Sequence, residues 1–354
     1  MSTLDIIIFI LYMILMLGVG YYFMMRNKGA DDYYVGGRGM NSLHVGLSVV
    51  ATDVGGGFSI GLGGLGFVIG VSGSWMLFTG LLGAWLSAVV LIPKVKGNKA
   101  FAKFHTFPQV FEYLYSSRVA LLAGLISGIG YIGFTSSQLL AGAKLASGTF
   151  TELNQQHALM VMGVIAVVYT VMGGIKAVIY TDTVQWIILM AGLIFIGIPY
   201  GYIEIGGLEG IKNTVGPEFL SMTNLTWQMF AKWLITILPI WFVAMTLYQR
   251  IYACKDEKTA KKAWFLAGLF EWPIMAFMGV TLGMFARVAA QQGILGDIDM
   301  ATFDSEEGLP RLLSVVLPMG LKGLMMAAYF SAILSTADSC LMACSGNLVS
   351  DVIG

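Results

Sequence analysis

The sequence predicts an all-α protein that crosses a membrane several times. Of its 354 residues, 57% are hydrophobic and only 11% are charged, and the mean hydropathy is +0.79. A soluble domain carries about a quarter charged residues, so a water-soluble fold is excluded. The 20 basic and 20 acidic residues balance. This balance argues against nucleic acid as a partner and leaves the lipid bilayer as the expected surroundings.

Nine apolar stretches approach or exceed the roughly 20 residues that a membrane-spanning helix needs. They are 4–25, 43–69, 74–92, 121–150, 158–172, 178–203, 227–253, 263–290 and 320–353. The first is too long for a signal peptide and has no basic leader, so we expect a retained helix. The 309–317 segment is predicted to form a short surface helix. No linker divides the chain, which predicts one transmembrane domain over 1–354.

The charged residues predict the orientation of these spans. Most of the basic residues fall in alternate connections, whereas the remaining connections hold most of the acids. The basic connections contain Arg26, Lys28, Arg38, Lys94, Lys96, Lys99, Lys103, Arg118, Lys176, Arg250, Lys255, Lys258, Lys261 and Lys262. Because basic loops stay in the cytoplasm, we expect the amino terminus outside, in a bacterial inner (plasma) membrane.

The second span, 43–69, is the least regular. It reads Ala51-Thr52-Asp53-Val54-Gly55-Gly56-Gly57, and each glycine in a helix costs about 1 kcal/mol. A break here would free backbone carbonyls, which is tolerated at membrane depth only where they face protein or a cavity. The alternative is a glycine-rich packing face, which needs glycines every fourth residue rather than in a row. The sequence therefore favours a break that exposes the carbonyls of residues 51 and 54.

The last span places small polar groups on one helix face. Ala332, Ser335, Thr336 and Ser339 follow the i, i+3, i+4, i+7 spacing. A free carbonyl and hydroxyls are hard oxygen ligands, which alkali and alkaline-earth cations prefer. The alternative is a small-residue packing stripe whose hydroxyls bond back to the helix. The neighbouring carboxylate of Asp338 favours the ion site.

Four acids lie inside apolar spans: Asp53, Asp182, Glu271 and Asp338. Each costs at least about 2.5–3.5 kcal/mol at the membrane centre, which makes each a candidate functional group. The alternative for each is a carboxylate near an interface or paired with Lys or Arg. For Asp182 and Glu271 the sequence leaves both interpretations open.

Four motifs resemble those of the sodium/solute symporter family, which includes sodium/glucose, sodium/proline and sodium/sialic acid transporters. They are Tyr33-Tyr34-Val35-Gly36-Gly37-Arg38, the Ala51–Gly56 string, residues 173–185, and Ala332-Ile333-Leu334-Ser335-Thr336. The resemblance implies a core of ten helices in two inverted repeats of five. The first repeat would cover about 43–203. The second would begin over about 227–353 and lack its last two helices in this chain.

The resemblance also implies ion ligands. A sodium ion would be held by carbonyls of Ala51, Val54 and Ala332 and by hydroxyls of Ser335 and Thr336. Some members have a second cation site, which maps onto Asp182, Ser335, Asp338 and Ser339. Several members carry Ser or Thr where this chain has Asp338. The extra acid would either strengthen that second site or carry a proton.

From these residues and this resemblance we expect a sodium-driven importer of a small polar organic solute that works by alternating access. The solute would bind beside the broken span, lined by Asp53, Gly56, Phe78, Gln138 and Trp241. Choline and sugars fit poorly, since Asp53, Gly133 and Ala244 stand where those sites need aromatic or asparagine side chains. The alternative class is a membrane solute sensor on the same fold. No nucleophile–base pair or metal cluster points to an enzyme.

Overall fold

The computed structural model describes residues 2–26, 28–57, 61–101, 103–149 and 154–353, and these form a bundle of helices. The helices are α1 (Thr3–Met24), α2 (Ala30–Val35), α3 (Ser42–Gly57), α4 (Gly63–Ile69), α5 (Trp75–Val95), α6 (Pro108–Leu114), α7 (Ser117–Thr149), α8 (Gln155–Gly192), α9 (Ile198–Glu204), α10 (Gly207–Thr214), α11 (Trp227–Val243), α12 (Met245–Ala253), α13 (Glu257–Leu269), α14 (Ala276–Gln291), α15 (Gly308–Val316) and α16 (Leu321–Asn347). Over the described ranges, six helices are long and apolar enough to cross a bilayer, or seven if one bent pair counts as a single span.

Several of the nine expected spans are interrupted helices. The seventh is bent by 43° between α11 and α12. The eighth joins α13 to α14 through a π-helical turn over Phe270–Met275. The fifth and sixth together form α8, which is broken at Gly174 (φ 64°, ψ 166°). The part of α8 before the break at Gly174 contains the apolar stretch Gln156–Val168.

α16 is the central helix and α1 lies at the periphery. In the most apolar 18-residue window of each, 89% of the α16 residues are buried but only 17% of those in α1. α16 packs against α7, α8, α1 and α3. The Asp5 carboxylate holds α1 to the start of α16 by accepting the backbone N–H groups of Gly320 (2.7 Å) and Gly323 (3.0 Å). A negative charge is favourable at this helix N-terminus.

The short helix expected at 309–317 is present as α15. Its apolar face is fully buried at Leu309, Leu312 and Leu313, against α14, α7 and α4. The polar segment before it carries Asp304 and Glu306, which both bind Lys144 of α7 (2.9 and 2.8 Å). We call this side of the bundle the acidic end.

The opposite side of the bundle, which we call the basic end, holds α2, the 96–107 loop and the end of α12. Here Met40 pairs with the backbone at Ala253 (3.0 Å), and Lys96 donates to the Tyr252 carbonyl (2.9 Å). Asp31 binds both Arg38 (3.1 Å) and His105 (2.6 Å). The Arg38 guanidinium, helped by His105, lowers the pKa of Asp31 despite its partial burial.

Candidate functional site

The expected break in the second span is present at Gly55, within α3. This residue has φ 37° and ψ −129°, a backbone conformation that glycine adopts readily and other residues do not. A Cβ added at Gly55 would lie only 2.9 Å from the Cβ and Cγ2 atoms of Thr336, and would therefore overlap that side chain. The break therefore lets the α3 backbone approach α16 more closely than an ordinary helix could.

Oxygen atoms from the two helices meet at this approach. The Thr336 hydroxyl lies 3.3 Å from the Ala51 carbonyl of α3 and 3.2 Å from the Ala332 carbonyl of its own helix. The Ser335 hydroxyl lies 3.1 Å from the Ala332 carbonyl. Both hydroxyl side chains are fully buried. The structure thus brings together groups from four of the five residues expected to bind sodium.

The fifth, Val54, belongs to α3 immediately before Gly55, and its side-chain surroundings lie outside the described part of the chain. The hydroxyl contacts within α16 would also occur in a small-residue packing stripe. The contact between Thr336 and Ala51 joins two helices, as an ion site shared by α3 and α16 requires. An oxygen cluster of this kind suits a hard monovalent cation.

A fully buried arginine occupies the region where a second cation was expected. Arg250 of α12 donates to Asp182 (3.2 Å), Ser339 (3.0 Å) and Ser48 (2.9 Å). It also donates to the Thr52 hydroxyl and to the Thr246 carbonyl. The positive charge beside Asp182 and Ser339 is therefore a guanidinium. Two of the residues expected to bind a second cation, Asp182 and Ser339, are thus hydrogen-bonded to Arg250, and the second site between Asp182, Ser335, Asp338 and Ser339 stays a prediction.

Asp338 stands apart from this network. Its side chain is fully buried and lies beside Thr170 of α8, within electrostatic reach of Asp182 and Arg250. Neither carboxyl oxygen makes a hydrogen bond of ordinary geometry with the described residues. Asp338 therefore interacts with the guanidinium only electrostatically and does not bind it directly.

Arg250 is the functional residue that the sequence analysis misses. The prediction that Arg250 belongs to a basic connection between spans is wrong, since its side chain has no exposed surface. The signal was present in the sequence as Gln249-Arg250 directly after an apolar stretch, and as an unmatched acid at Asp182. A buried acid needs a partner. Arg250 of α12 is the partner of Asp182.

A cavity of about 910 Å³ opens beside the broken helix, between α3, α5, α7 and the α11–α12 bend. It runs along α7 from Lys144 at the acidic end to Phe107 at the basic end. Its wall is mainly apolar, with Asp53 and Gln138 among the few polar groups. The solute site expected from the sequence lies beside the same broken span and stays a prediction.

The five residues expected to line that site have different surroundings. Asp53 and Gln138 line the cavity. Phe78 packs instead on Trp272, with ring centroids 5.2 Å apart. Trp241 is fully buried against Gly83 and so does not reach the cavity, which corrects its expected role. The side-chain surroundings of Gly56 lie outside the described part of the chain.

The fourth membrane acid, Glu271, lies next to Asp53. Its side chain is fully buried in the π-helical turn between α13 and α14. Its carboxyl group packs against Gly80 of α5, where a Cβ would stand 2.5 Å from the carboxyl oxygen, and it interacts with the carboxyl group of Asp53. The sequence marked both acids but could not show that they are neighbours.

Comparison with known proteins gives one consistent result. A sequence model described as "Sodium:solute symporter family" matches residues 33–353. The rat sodium/myo-inositol cotransporter 2 is 27% identical over 96% of this chain and 55% of its own length. The Vibrio parahaemolyticus sodium/glucose cotransporter is 26% identical over 96% of this chain and 67% of its own length. The high-affinity proline transporter of Bacillus subtilis is 26% identical over 95% of this chain and 71% of its own length.

A solved structure also resembles this chain. It is described as the substrate-bound, outward-open state of a Na⁺-coupled sialic acid symporter, and it superposes with a TM-score of 0.86. The match covers 99% of this chain and 75% of that one at 24% identity. At this identity the likeness establishes the fold alone. The chain spans about half the length of the mammalian relatives.

Proposed function

Because the chain belongs to the sodium:solute symporter family, we propose that it forms the core of a sodium-coupled symporter that imports a small polar organic solute by alternating access. The family consists of transporters rather than enzymes. By their descriptions, two of the relatives named above cotransport sodium with myo-inositol or with glucose, and the third transports proline. Because those proteins are longer than this chain, the activity is proposed for the full-length protein.

The observation that carries this proposal is the oxygen cluster at the break in α3. Thr336 contacts the Ala51 carbonyl across two helices, and Ser335 lies beside it on α16. Sodium is a substrate of the transporter here, and it would bind to the Ala51, Val54 and Ala332 carbonyls and to the two hydroxyls. Broken helices with freed carbonyls are the usual way that transporters bind such ions at membrane depth.

The same site suggests how the ion is coupled to movement. Its ligands come from both α3 and α16, so an ion bound there links the two helices. A ligand shifts a conformational equilibrium only when it binds one state more tightly than the other. We propose that sodium favours the outward-open state, in which the cavity beside Asp53 receives the solute.

The arrangement of the spans supports the finer features of the proposal. Residues of about 43–203 would form the first of two inverted repeats, and about 227–353 would begin the second. The likeness to the sialic acid symporter fold supports this organisation. The basic end would face the cytoplasm of a bacterial cell with the amino terminus outside. We propose one sodium site at the break in α3, and a second cation site around Asp338 stays a prediction beside the Arg250–Asp182 pair.

A transport assay tests the proposal. The full-length protein would be reconstituted into proteoliposomes and offered a panel of radiolabelled solutes, with an inward gradient of either sodium or potassium chloride. We expect at least one solute to accumulate only with the sodium gradient. Accumulation that is equal with both salts would contradict sodium coupling. Solute binding without accumulation under any gradient would favour the alternative of a membrane sensor.

A further inference from the structure

Asp53 places an uncompensated acid on the cavity wall. It precedes the break at Gly55 by two residues, and its side chain is partly exposed to the cavity. No ion pair among the described residues includes it. The nearby Arg250 donates to Thr52, Asp182 and other groups, and Lys144 binds two acids at the acidic end.

Glu271 adds a second acid directly behind the first. It is fully buried, and neither of its carboxyl oxygens has a hydrogen-bond partner of ordinary geometry in the described ranges. Its carboxyl group lies against Gly80 on one side and interacts with Asp53 on the other. A side chain that buries two strong acceptors without a donor is unusual, and this one faces the acid on the cavity wall.

Two carboxyl groups in this position call for hydrogen-bond donors that carry positive charge. Buried charges are normally paired, and ionised carboxylates act only as acceptors. The cavity wall is mainly apolar, its other polar side chains include Thr52, Tyr131 and Gln138, and its cation Lys144 binds Asp304 and Glu306. The sodium ligands are a separate set of carbonyls and hydroxyls. A cation that enters the cavity would neutralise the Asp53–Glu271 pair, which otherwise needs a proton shared between its two carboxyl groups.

We propose that the transported solute carries an ammonium or guanidinium group with N–H donors, which the Asp53 carboxylate on the cavity wall binds, with the buried Glu271 carboxyl group behind it. The inference rests on the proposed function, and it names the substrate class of the same cavity. Charge-assisted hydrogen bonds to carboxylates are the strong kind. A quaternary ammonium has no N–H group to donate and is usually bound by aromatic faces. The apolar wall accommodates the carbon skeleton of the solute.

Thermal unfolding of the purified full-length protein in detergent, with saturating sodium chloride, tests the substrate class. The probes are four-carbon molecules that differ at their ends: putrescine, 1,4-butanediol and succinate. Agmatine, ethanolamine and choline extend the set. We expect one or more of putrescine, agmatine and ethanolamine to raise the Tm, and butanediol, succinate and choline to leave it unchanged. Stabilisation by butanediol or succinate, or none by the three N–H cations, would overturn the inference.

Two variants test the role of Glu271 with the cation that stabilises the wild type. Glu271→Gln keeps the shape but removes the charge, and we expect a loss of affinity of about 10- to 100-fold. Gly80→Ala should act in the same direction, because its methyl group would displace the Glu271 carboxyl. Gly163→Ala in α8 is the matched control, since nothing lies within 4 Å of the added Cβ and the residue does not line the cavity. Unchanged affinity in Glu271→Gln would overturn the assignment.

The effect of sodium alone on the Tm distinguishes a failure of this inference from a failure of the proposed function. Sodium should raise the Tm of the wild type, and also of Glu271→Gln, which shows that the variant is folded. If sodium has no effect on the wild type and drives no uptake, the proposed function fails. If sodium stabilises the protein and none of the N–H cations does, only the inference about the substrate fails.

Discussion

At the scale of single residues, Gly55 determines whether the ion site can form. Its left-handed backbone conformation would cost a residue with a side chain about 1–2 kcal/mol. A Cβ would also overlap the side chain of Thr336. The glycine therefore serves both the break in α3 and the close contact between α3 and α16.

Gly55→Ala should lower both stability and sodium affinity. We expect a decrease in the free energy of unfolding of at least about 1–2 kcal/mol, and a higher sodium concentration for half-maximal stabilisation, because Thr336 is pushed away from Ala51. Thermal unfolding over a sodium titration measures both effects. Gly163→Ala serves as the control, since its Cβ would have nothing within 4 Å. Equal sodium titrations for Gly55→Ala and the wild type would show that the contact is not part of the site.

At the scale of elements, Arg250 joins α12 to α3, α8 and α16. Its partners Ser48, Asp182 and Ser339 come from the last three of these helices. A buried ion pair adds little net stability compared with apolar side chains, but the loss of one partner leaves the other charge buried and unpaired. The network therefore fixes the relative positions of these helices more than it stabilises the fold.

Single substitutions in this pair should be costly and not additive. We expect Arg250→Met and Asp182→Asn each to lower the free energy of unfolding by about 3–5 kcal/mol, and the double variant to lose less than the sum. Denaturant titration in detergent measures this cycle. The exposed Glu257–Lys261 pair of α13 (2.6 Å) is the control, with an expected coupling of about 0.3–0.5 kcal/mol. Additive losses at Arg250 and Asp182 would mean that the two side chains act independently.

The basic end offers a weaker, pH-dependent link between α2 and the 96–107 loop. Arg38 lowers the pKa of Asp31 in the folded protein. A carboxyl group with a lowered pKa stabilises the fold above its unfolded pKa of about 3.9, and this contribution disappears as the pH falls through the folded value. Because Asp31 is largely exposed, with 61% of its side-chain surface accessible, we expect less than about 1 kcal/mol.

Comparison of the wild type with Asp31→Asn over pH 3 to 7 tests this link. The wild type should have the higher Tm at neutral pH, and the difference should shrink as the pH falls below about 4. A difference that is the same at all pH values would show that the charge of Asp31 is not involved.

At the scale of the whole molecule, local features were predictable and tertiary pairings were not. The cost of consecutive glycines is local, so the sequence alone indicated the break near Gly55. The hydroxyl face of α16 followed from helical spacing. By contrast, the burial of Arg250 depends on Asp182, which lies 68 positions away, and hydropathy places an arginine after an apolar stretch in a loop.

In the solute cavity, too, some lining residues were predictable from the sequence and the tertiary contacts were not. Asp53 and Gln138 were chosen by depth and polarity, and both line it. Trp241 had similar depth but packs against Gly83 of α5 and has no exposed surface. The proximity of Glu271 to Asp53 depends on the π-helical turn at 270–275 and on the missing side chain at Gly80. No periodicity in the sequence encodes either feature.

The sodium dependence of uptake in Thr336→Ala, compared with Thr336→Ser, tests the central claim most directly. The alanine variant loses the oxygen that joins α3 to α16, whereas the serine variant keeps it. We predict that Thr336→Ala raises the sodium concentration for half-maximal uptake roughly tenfold, equivalent to about 1.4 kcal/mol, with a smaller change in solute affinity at saturating sodium. Thr336→Ser should remain close to the wild type. A sodium curve for Thr336→Ala that coincides with that of the wild type would contradict the assignment of the site.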